Sequence, residues 1–421
     1  MIASSKRIAA WAVKGFSGSR AAIGSSGADA LVMAIQLLTS IITARALLAE
    51  GRGELTTILL WPMFFFGVLG NGFKFSVLYH VAKFPDKKDH FIYAGLCFLL
   101  IASPVVAVVN FFFAEFALTM ISTEAVGLTQ LLGCLMPILL LVSYAQIILQ
   151  ASQDFLTWNF IRVSDAFLFL GAVSTLFCFD IACLTNVTAA FVACKCVVLA
   201  YSCRYLNFDR VTSLDRAACR SMFAYMGKCL PTGWMGQANT QLDQMLLSVF
   251  FRPELLGLYR VAVSAANFMR FVPIGFQRTV LSQTAAIDNE QSQIQHIFRT
   301  AKQGGFLTLI AIVPFFTIIG LFIKFAYGSA FFEAVPVARI LVLAAAVAGL
   351  SGILGNGAKG IGKPLVLMYA EIGGLIVTAA GLPLLLPKFG IFGAGITSLL
   401  AYFVTCTLLV VYFLKIRKLS K

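Results

Sequence analysis

The chain has 421 residues, of which 60% are hydrophobic and only 12% charged, with a mean hydropathy of +0.90. That composition excludes a soluble globular domain and places the chain in a bilayer. The net charge of +14 invites a nucleic-acid partner, but the basic residues fall in alternate loops, so the charge reports topology and nucleic acid is excluded as a partner.

Twelve apolar runs have the roughly 20 residues needed to cross a bilayer: about 30–48, 55–77, 91–113, 127–149, 163–182, 186–203, 229–250, 255–276, 305–325, 335–354, 365–386 and 391–414. The predicted fold is therefore an all-α polytopic membrane protein. Most Lys and Arg lie on the side that holds both termini, and six (Arg45, Arg52, Arg252, Lys324, Arg339 and Lys388) lie on the other. The positive-inside rule then predicts cytoplasmic termini.

Residues 1–28 form an N-terminal arm without the apolar core or cleavage site of a secretory signal. Ile8, Trp11, Ala12, Gly15 and Phe16 share a helical face beside Lys6, Arg7 and Lys14, which suits an amphipathic helix on the leaflet; a disordered arm is the alternative. In span 1, Asp29, Gln36, Ser40 and Thr43 fall on one face at about 100° per residue. A lipid-facing helix has no use for such a stripe, so it should face protein or water. The turn Leu47-Leu-Ala-Glu-Gly-Arg-Gly-Glu54 follows, with two glycines to relieve the backbone and three charges to keep it in water. Span 2 carries Asn71 and Lys74; the lysine either snorkels to the surface or enters a cavity. Phe64, Phe65 and Phe66 read as lipid-facing bulk.

Spans 3 to 6 are more apolar. Pro104 and Pro137 are candidate kinks. Lys195, in mid-span, needs a partner or an aqueous cavity, whereas Asp165 reads as interfacial. The ten cysteines are scattered and behave as small hydrophobes. Cys194-Lys-Cys196 has no second ligand pair, so no metal site or cofactor is expected; Cys178 and Cys183 could pair, but nothing demands it. Residues 204–228 are the longest basic connection, and read as a cytoplasmic linker between an N-lobe (29–203) and a C-lobe (229–414), with 415–421 as the tail.

Span 7 opens with Pro231, Gly233 and Gly236 and carries the stripe Gln237, Thr240, Gln241, Gln244 and Ser248. Asp243 lies off the stripe's centre, either as a hydrogen-bonded structural residue or as a proton or cation site. Span 8 gathers Arg260, Ser264, Asn267, Phe271 and Arg278 on one face. Arg260 and Arg278 sit at the expected interfaces. Arg270 is near mid-span, where an unpaired arginine costs a few kcal/mol; it either bridges Asp243 or faces a wet cavity that receives an anion. Residues 281–298 suggest a surface helix. Gly357 to Lys363 fits a phosphate-loop pattern, but Pro364 stands where Ser or Thr is required and no strand precedes it, so this is a tight turn. Glu371 reads as structural, and Lys388 to Gly395 opens span 12 with small residues that allow close packing.

The first hairpin has an echo. Matching Gly53 to Gly257 lays Leu48–Glu54 on Arg252–Leu258, Gln36 on Thr240, Thr39 on Asp243 and Ser40 on Gln244. Six spans per half keep both halves in one orientation, a parallel repeat with its axis along the membrane normal. Each half would give its first two helices to a central cavity. Its strongest charges, Lys74, Arg260 and Arg270, suit a phosphate-bearing anion. Asn71, Asn267, Gln36, Ser40, Gln237, Gln241 and Gln244 suit hydroxyl-rich cargo, with Asp243 as the ion-coupling candidate. No catalytic set is visible.

Leu47-Leu-Ala-Glu-Gly-Arg-Gly-Glu-Leu55 running into Trp61-Pro62 resembles the first hairpin of bacterial polysaccharide flippases of the multidrug/oligosaccharidyl-lipid/polysaccharide (MOP) transporter superfamily. Gln241-Leu-Asp-Gln-Met-Leu-Leu247 with Leu256-Gly-Leu-Tyr259 is similar to that family's seventh helix and turn, and Gly360-Ile-Gly-Lys-Pro364 and Gly390-Ile-Phe-Gly-Ala394 to its late-helix signatures. The resemblance implies twelve helices in two six-helix lobes around a central cavity. It also implies flipping of an undecaprenyl-pyrophosphate-linked oligosaccharide, of O-antigen or capsule type, across the inner membrane. Membrane lipids, a polysaccharide polymerase and glycosyltransferases are the partners it implies. Three other readings stay open: a cation-coupled drug or metabolite antiporter of the same superfamily, which should show a carboxylate-dominated cavity; a peptidoglycan-precursor flippase, a family that usually has two further helices; and a membrane polymerase or ligase, which should show a large outer loop.

Overall fold

The computed structural model describes the backbone of residues 2–152, 154–205, 215–285, 287 and 289–419. The side chains of residues 1–26 and of some later positions, among them Asn71, Lys228 and Arg278, lie outside the described set, and with them the expected amphipathic face of the N-terminal arm. The helices are α1 (Ile2–Lys83), α2 (Lys88–Ala117), α3 (Thr123–Cys134), α4 (Met136–Ala151), α5 (Phe155–Cys178), α6 (Leu184–Ser202), α7 (Arg216–Phe250), α8 (Pro253–Asn267), α9 (Phe271–Ala285), α10 (Glu290–Phe322), α11 (Val335–Gly360) and α12 (Leu365–Leu419).

These twelve helices are not one-to-one with the twelve spans. Among the described residues, seven stretches are long and apolar enough to cross a membrane. Two bent pairs add two more: α3 with α4, bent by 50°, and α8 with α9, bent by 62°. The first bend falls just before Pro137, as expected, whereas α2 runs through Pro104 as one helix. Two long helices fold back on themselves. α1 breaks at Leu48 (φ 56°, ψ −170°); beyond the break Arg52 hydrogen-bonds Ser40, and Leu59 joins Ile42 in one apolar cluster. α12 breaks at Gly390 (φ 55°), and Gly381 then faces Thr397, Gly374 faces Thr405 and Gly373 faces Leu408, an antiparallel pair. With α7, which is long enough to span but carries the polar stripe, the described residues make twelve spans, six in each lobe.

Several local expectations are corrected. Residues Arg216 to Lys228 of the expected linker are the first turns of α7, and positions 206–214 of it lie outside the described residues. The helix expected on the surface at 281–298 is in part the start of α10, where Ile294 and Ile297 are buried, Ile297 against Gly357 of α11. Phe64 and Phe65 do not face lipid: they pack around Trp61 and Phe113, with ring centroids 4.0–6.1 Å apart. In the turn between α11 and α12, Lys363 Nζ lies 2.8 Å from Glu290 Oε1. That hydrogen bond holds the Lys363 ammonium above the usual lysine range, so the pair persists at neutral pH and the stability that the shift supplies is lost as pH rises through the lysine's raised value.

Two seams join the lobes. Along one, the second arm of α1 packs against α7. Trp61 Nε1 donates to Ser248 Oγ (3.0 Å), Trp234 Nε1 to the Val68 carbonyl (2.6 Å) and Ser76 Oγ to the Met222 carbonyl (2.6 Å). Tyr79 stacks on Tyr225 at 4.6 Å, and Lys87 pairs with Asp215 at 2.8 Å. Along the other seam, the first arm of α1 meets α8 at the turns. A Cβ added at Gly53 would lie 1.7 Å from the Pro253 carbonyl oxygen, and one at Gly257 would lie 1.9 Å from that of Ala49. On the register that matches Gly53 to Gly257, Ala49 matches Pro253. The contact is therefore reciprocal, as two-fold symmetry requires. The two glycines serve this close approach, while the backbone reversal falls on Leu48 rather than on Gly51 or Gly53.

Candidate functional site

The seal at the turn end is polar as well as close-packed. Arg45 of α1 donates from Nε to the Ala326 carbonyl (2.6 Å) and from Nη2 to that of Phe325. Ser40 Oγ accepts from Arg52 Nη2 and from the Tyr327 hydroxyl, both at 3.2 Å. Beneath this roof lies a cavity of about 620 Å³ lined from both lobes, by Gln36, Thr39, Ser40, Thr43 and Arg52 of α1, Arg162 and Asp165 of α5, Lys195 of α6, and Arg260, Ser264 and Asn267 of α8. A second cavity of about 390 Å³ lies inside the N-lobe and shares Gln146 and Arg162 with the first; Lys74, Ser143 and Gln150 also line it. A third, of about 210 Å³ in the C-lobe, shares Arg260 and Asn267 with the first and adds Gln241, Asp243, Gln244, Arg270, Ser398 and Tyr402.

The expected site residues divide as follows. Gln36, Ser40, Arg260 and Asn267 line the central cavity. Arg270, Gln241, Gln244 and Asp243 line its C-lobe annex, and Lys74 its N-lobe annex. Gln237 instead packs over Gly67 at the α1–α7 seam, 3.0 Å from where a Cβ would sit. Asn71 lies outside the described side chains. Lys74 therefore enters a cavity rather than snorkelling. Arg260, expected at an interface, is a wall of two cavities and donates from Nη1 to Gln244 Oε1 at 2.9 Å.

Asp243 is a hydrogen-bonded acceptor and not the partner of Arg270. Its Oδ2 accepts from the Tyr259 hydroxyl (2.5 Å) and from Ser398 Oγ (3.1 Å). Arg270 sits at the elbow between α8 and α9, on the single turn Phe268–Arg270. Among the described residues, Lys74, Arg52, Arg260 and Arg270 make no ion pair. A buried cation without a counter-ion is costly unless water or an anionic ligand completes it.

Other charges in the cavities are paired. Arg162 reaches Asp29 in an ion pair, and its guanidinium covers the Trp158 ring at 4.4 Å. Lys195 meets Asp165 at 2.6 Å. Asp165 is thus not interfacial, and Lys195 has both the partner and the cavity that its depth demands. Asp165→Asn is expected to lower stability by about 1–3 kcal/mol, because it strands a half-buried ammonium. Asp165→Leu with Lys195→Met should recover most of the loss; the check is thermal unfolding of the single and double variants. The sequence reading missed Arg52, taken for a solvated turn residue, and the α4 stripe Ser143, Gln146, Gln150. The stripe's i, i+3, i+7 spacing was a usable signal; the burial of Arg52 was not, since it depends on how the hairpin folds back.

This geometry, two six-span lobes around an inter-lobe cavity sealed at one end, is that of a multi-pass helical membrane protein. A family model described as "Polysaccharide biosynthesis protein" matches residues 77–336, and the chain belongs to that family. Among solved structures, the lipid II flippase MurJ in an inward closed conformation aligns with a TM-score of 0.78 at 14% identity, covering 94% of this chain and 90% of that one. An inward-facing multidrug resistance MATE family transporter of the MOP superfamily aligns at 0.76 with 12% identity, covering 91% and 94%. An outward-facing MATE transporter of that superfamily aligns at 0.68 with 12% identity, covering 94% and 95%. No curated protein matches the chain. Its relatives by fold are transporters and flippases, not enzymes.

Proposed function

We propose that the chain flips a polyprenyl-pyrophosphate-linked oligosaccharide, a repeat unit of O-antigen or capsule type, across the bacterial inner membrane by alternating access. The turn end is the outer side and both termini are cytoplasmic, in line with the basic loops at the opposite end. The observation that carries this reading is the set of cations without ion-pair partners among the described residues, Arg52, Lys74, Arg260 and Arg270, along three contiguous cavities. A pyrophosphate offers several acceptor oxygens to guanidinium forks, and the Gln, Ser, Thr and Asn between them match sugar hydroxyls. The better alignment with inward-facing than with outward-facing relatives agrees with a sealed outer end.

In this cycle cargo enters from the cytoplasmic side and its phosphates take Arg260 and Arg52. Those arginines otherwise donate to Gln244 and Ser40, the matched positions of the two halves. Ser40 also accepts from Tyr327 across the lobes, so drawing Arg52 away loosens the roof. Asp243 is the ion-coupling candidate, held by Tyr259 and Ser398 in the C-lobe annex. A polymerase and glycosyltransferases would act on either side of the step.

Deletion of the gene should make lipid-linked oligosaccharide accumulate in the cytoplasmic leaflet, and wild type should restore surface glycan. Arg270→Ala at normal membrane abundance should restore less than about a tenth, in line with losing a charged contact of about 1.5–3 kcal/mol. Unchanged surface glycan with increased drug sensitivity would favour the antiporter instead.

A further inference from the structure

The C-lobe annex is walled by α7, α8, α11 and the second arm of α12, with Arg270 at the α8–α9 elbow. Its volume of about 210 Å³ is below the roughly 300 Å³ at which pockets for drug-sized ligands begin, and a water takes about 30 Å³. The space suits a small ion with a few waters. Its charged lining residues are Arg260, Arg270 and Asp243, so two cations against one carboxylate leave a net charge of +1. Asp243 is already engaged: Tyr259 and Ser398 donate to Oδ2, and the Gln244 backbone N–H donates to Oδ1 at 2.7 Å. Arg270 makes no ion pair among the described residues. Leu341, Ala344, Ala345 and Ala348 of α11 close the far wall and bring no counter-charge. One buried acceptor in the annex stands open, because Gln241 Oε1 has no hydrogen-bond partner among the described residues. The annex therefore asks for a ligand with one negative charge, several acceptor oxygens and a donor.

We propose that the annex binds inorganic phosphate as dihydrogen phosphate, its oxygens on Arg270 and Arg260 and one P–OH donating to Gln241 Oε1, and that this phosphate is carried back as the counter-anion of the cargo. Chloride has no proton to give. Sulfate has none at neutral pH and carries two charges. A pyrophosphate esterified at both ends also offers acceptors only, so the cargo leaves Gln241 Oε1 unmet. Arg260 and Asn267 line both the annex and the central cavity, so cargo and phosphate compete for the same arginine and one departs as the other binds. The exchange rests on the function proposed above. A carrier that reset empty would hold Arg270 desolvated and uncompensated, which is costly; phosphate entering on the outer side as cargo leaves removes that cost.

The test uses the full chain in phospholipid nanodiscs, titrated calorimetrically with inorganic phosphate and with sulfate. Wild type should bind phosphate about tenfold more tightly than sulfate, the factor expected when a buried acceptor is left unmet. Gln241→Leu should erase that preference, and Arg270→Gln should weaken both anions about tenfold or more. Thermal unfolding checks that each variant folds, and phosphate should raise the melting temperature of wild type but not of Arg270→Gln. In proteoliposomes, phosphate on the side that receives the cargo should speed flipping of a fluorescent polyprenyl-pyrophosphate oligosaccharide severalfold, and sulfate should not. Equal affinity for the two anions in wild type, or phosphate binding unchanged in both folded variants, overturns the site. Flipping that is indifferent to phosphate overturns the exchange. Phosphate binding as expected with no flipping under any condition upholds the site and removes the flippase reading instead.

Discussion

Gly53→Ala is expected to hold the turn end open. The added methyl would lie 1.7 Å from the Pro253 carbonyl oxygen and 2.4 Å from its carbon, and backbone cannot step aside as a side chain can. Relief requires the two hairpins to separate. Overpacking of this kind costs about 1–3 kcal/mol, which at its upper end shifts a two-state equilibrium roughly 150-fold. Gly257→Ala makes the symmetry-related clash with Ala49 and should behave alike. Hydrogen–deuterium exchange over residues 45–57 and 250–262 should accelerate at least tenfold in both variants, and flipping should fall with it. Gly171→Ala, where a Cβ meets nothing within 4 Å, is the control and should change neither. Unaltered exchange in both gate variants would remove the glycine contact from the account.

Arg260→Gln should separate stability from function. Arg260 lines both the central cavity and its C-lobe annex, donates to Gln244 Oε1 and has no ion-pair partner among the described residues. Removing a desolvated, unpaired charge relieves a cost, so the melting temperature should stay level or rise. Affinity for inorganic pyrophosphate should drop by about 1.5–3 kcal/mol, roughly 10- to 150-fold, as expected for a hydrogen bond to a charged group. Lys87→Gln, which breaks only the exposed pair with Asp215, should leave binding unchanged and cost under about 1 kcal/mol in stability. A destabilised Arg260→Gln with intact anion binding would make Arg260 a structural strut.

The twelve spans were legible because bilayer thickness writes itself into the length of an apolar run. The repeat register was legible from a short echo, and the reciprocal Gly53–Pro253 and Gly257–Ala49 contacts follow the register that echo set. Cavity cations were half legible. Lys74 and Arg270 stood out because their depth in a span is improbable in lipid. Arg52 and Arg260 looked interfacial because spacing along one helix cannot show how deeply a folded-back hairpin carries its second arm. Pairing was the least legible feature. Arg270 and Asp243 lie 27 positions apart, and nothing in their sequence separation shows that Tyr259 and Ser398 already occupy the carboxylate. The partners Asp165 and Lys195 came from two consecutive spans, where relative rotation decides contact and the pattern of apolar residues leaves it open. The aromatic run at Phe64–Phe66 misled for the same reason: a run apolar on every face does not say which face meets protein.

The most direct test is flipping by the purified chain. Proteoliposomes would carry a fluorescent polyprenyl-pyrophosphate oligosaccharide in both leaflets, with dithionite added outside to quench whatever reaches the outer leaflet. Wild type should render nearly all of the fluorescence quenchable, and Arg260→Gln should leave the inner-leaflet half protected. Protection equal to that of protein-free vesicles in wild type, with counter-transport of a cationic drug in the same vesicles, would contradict the account.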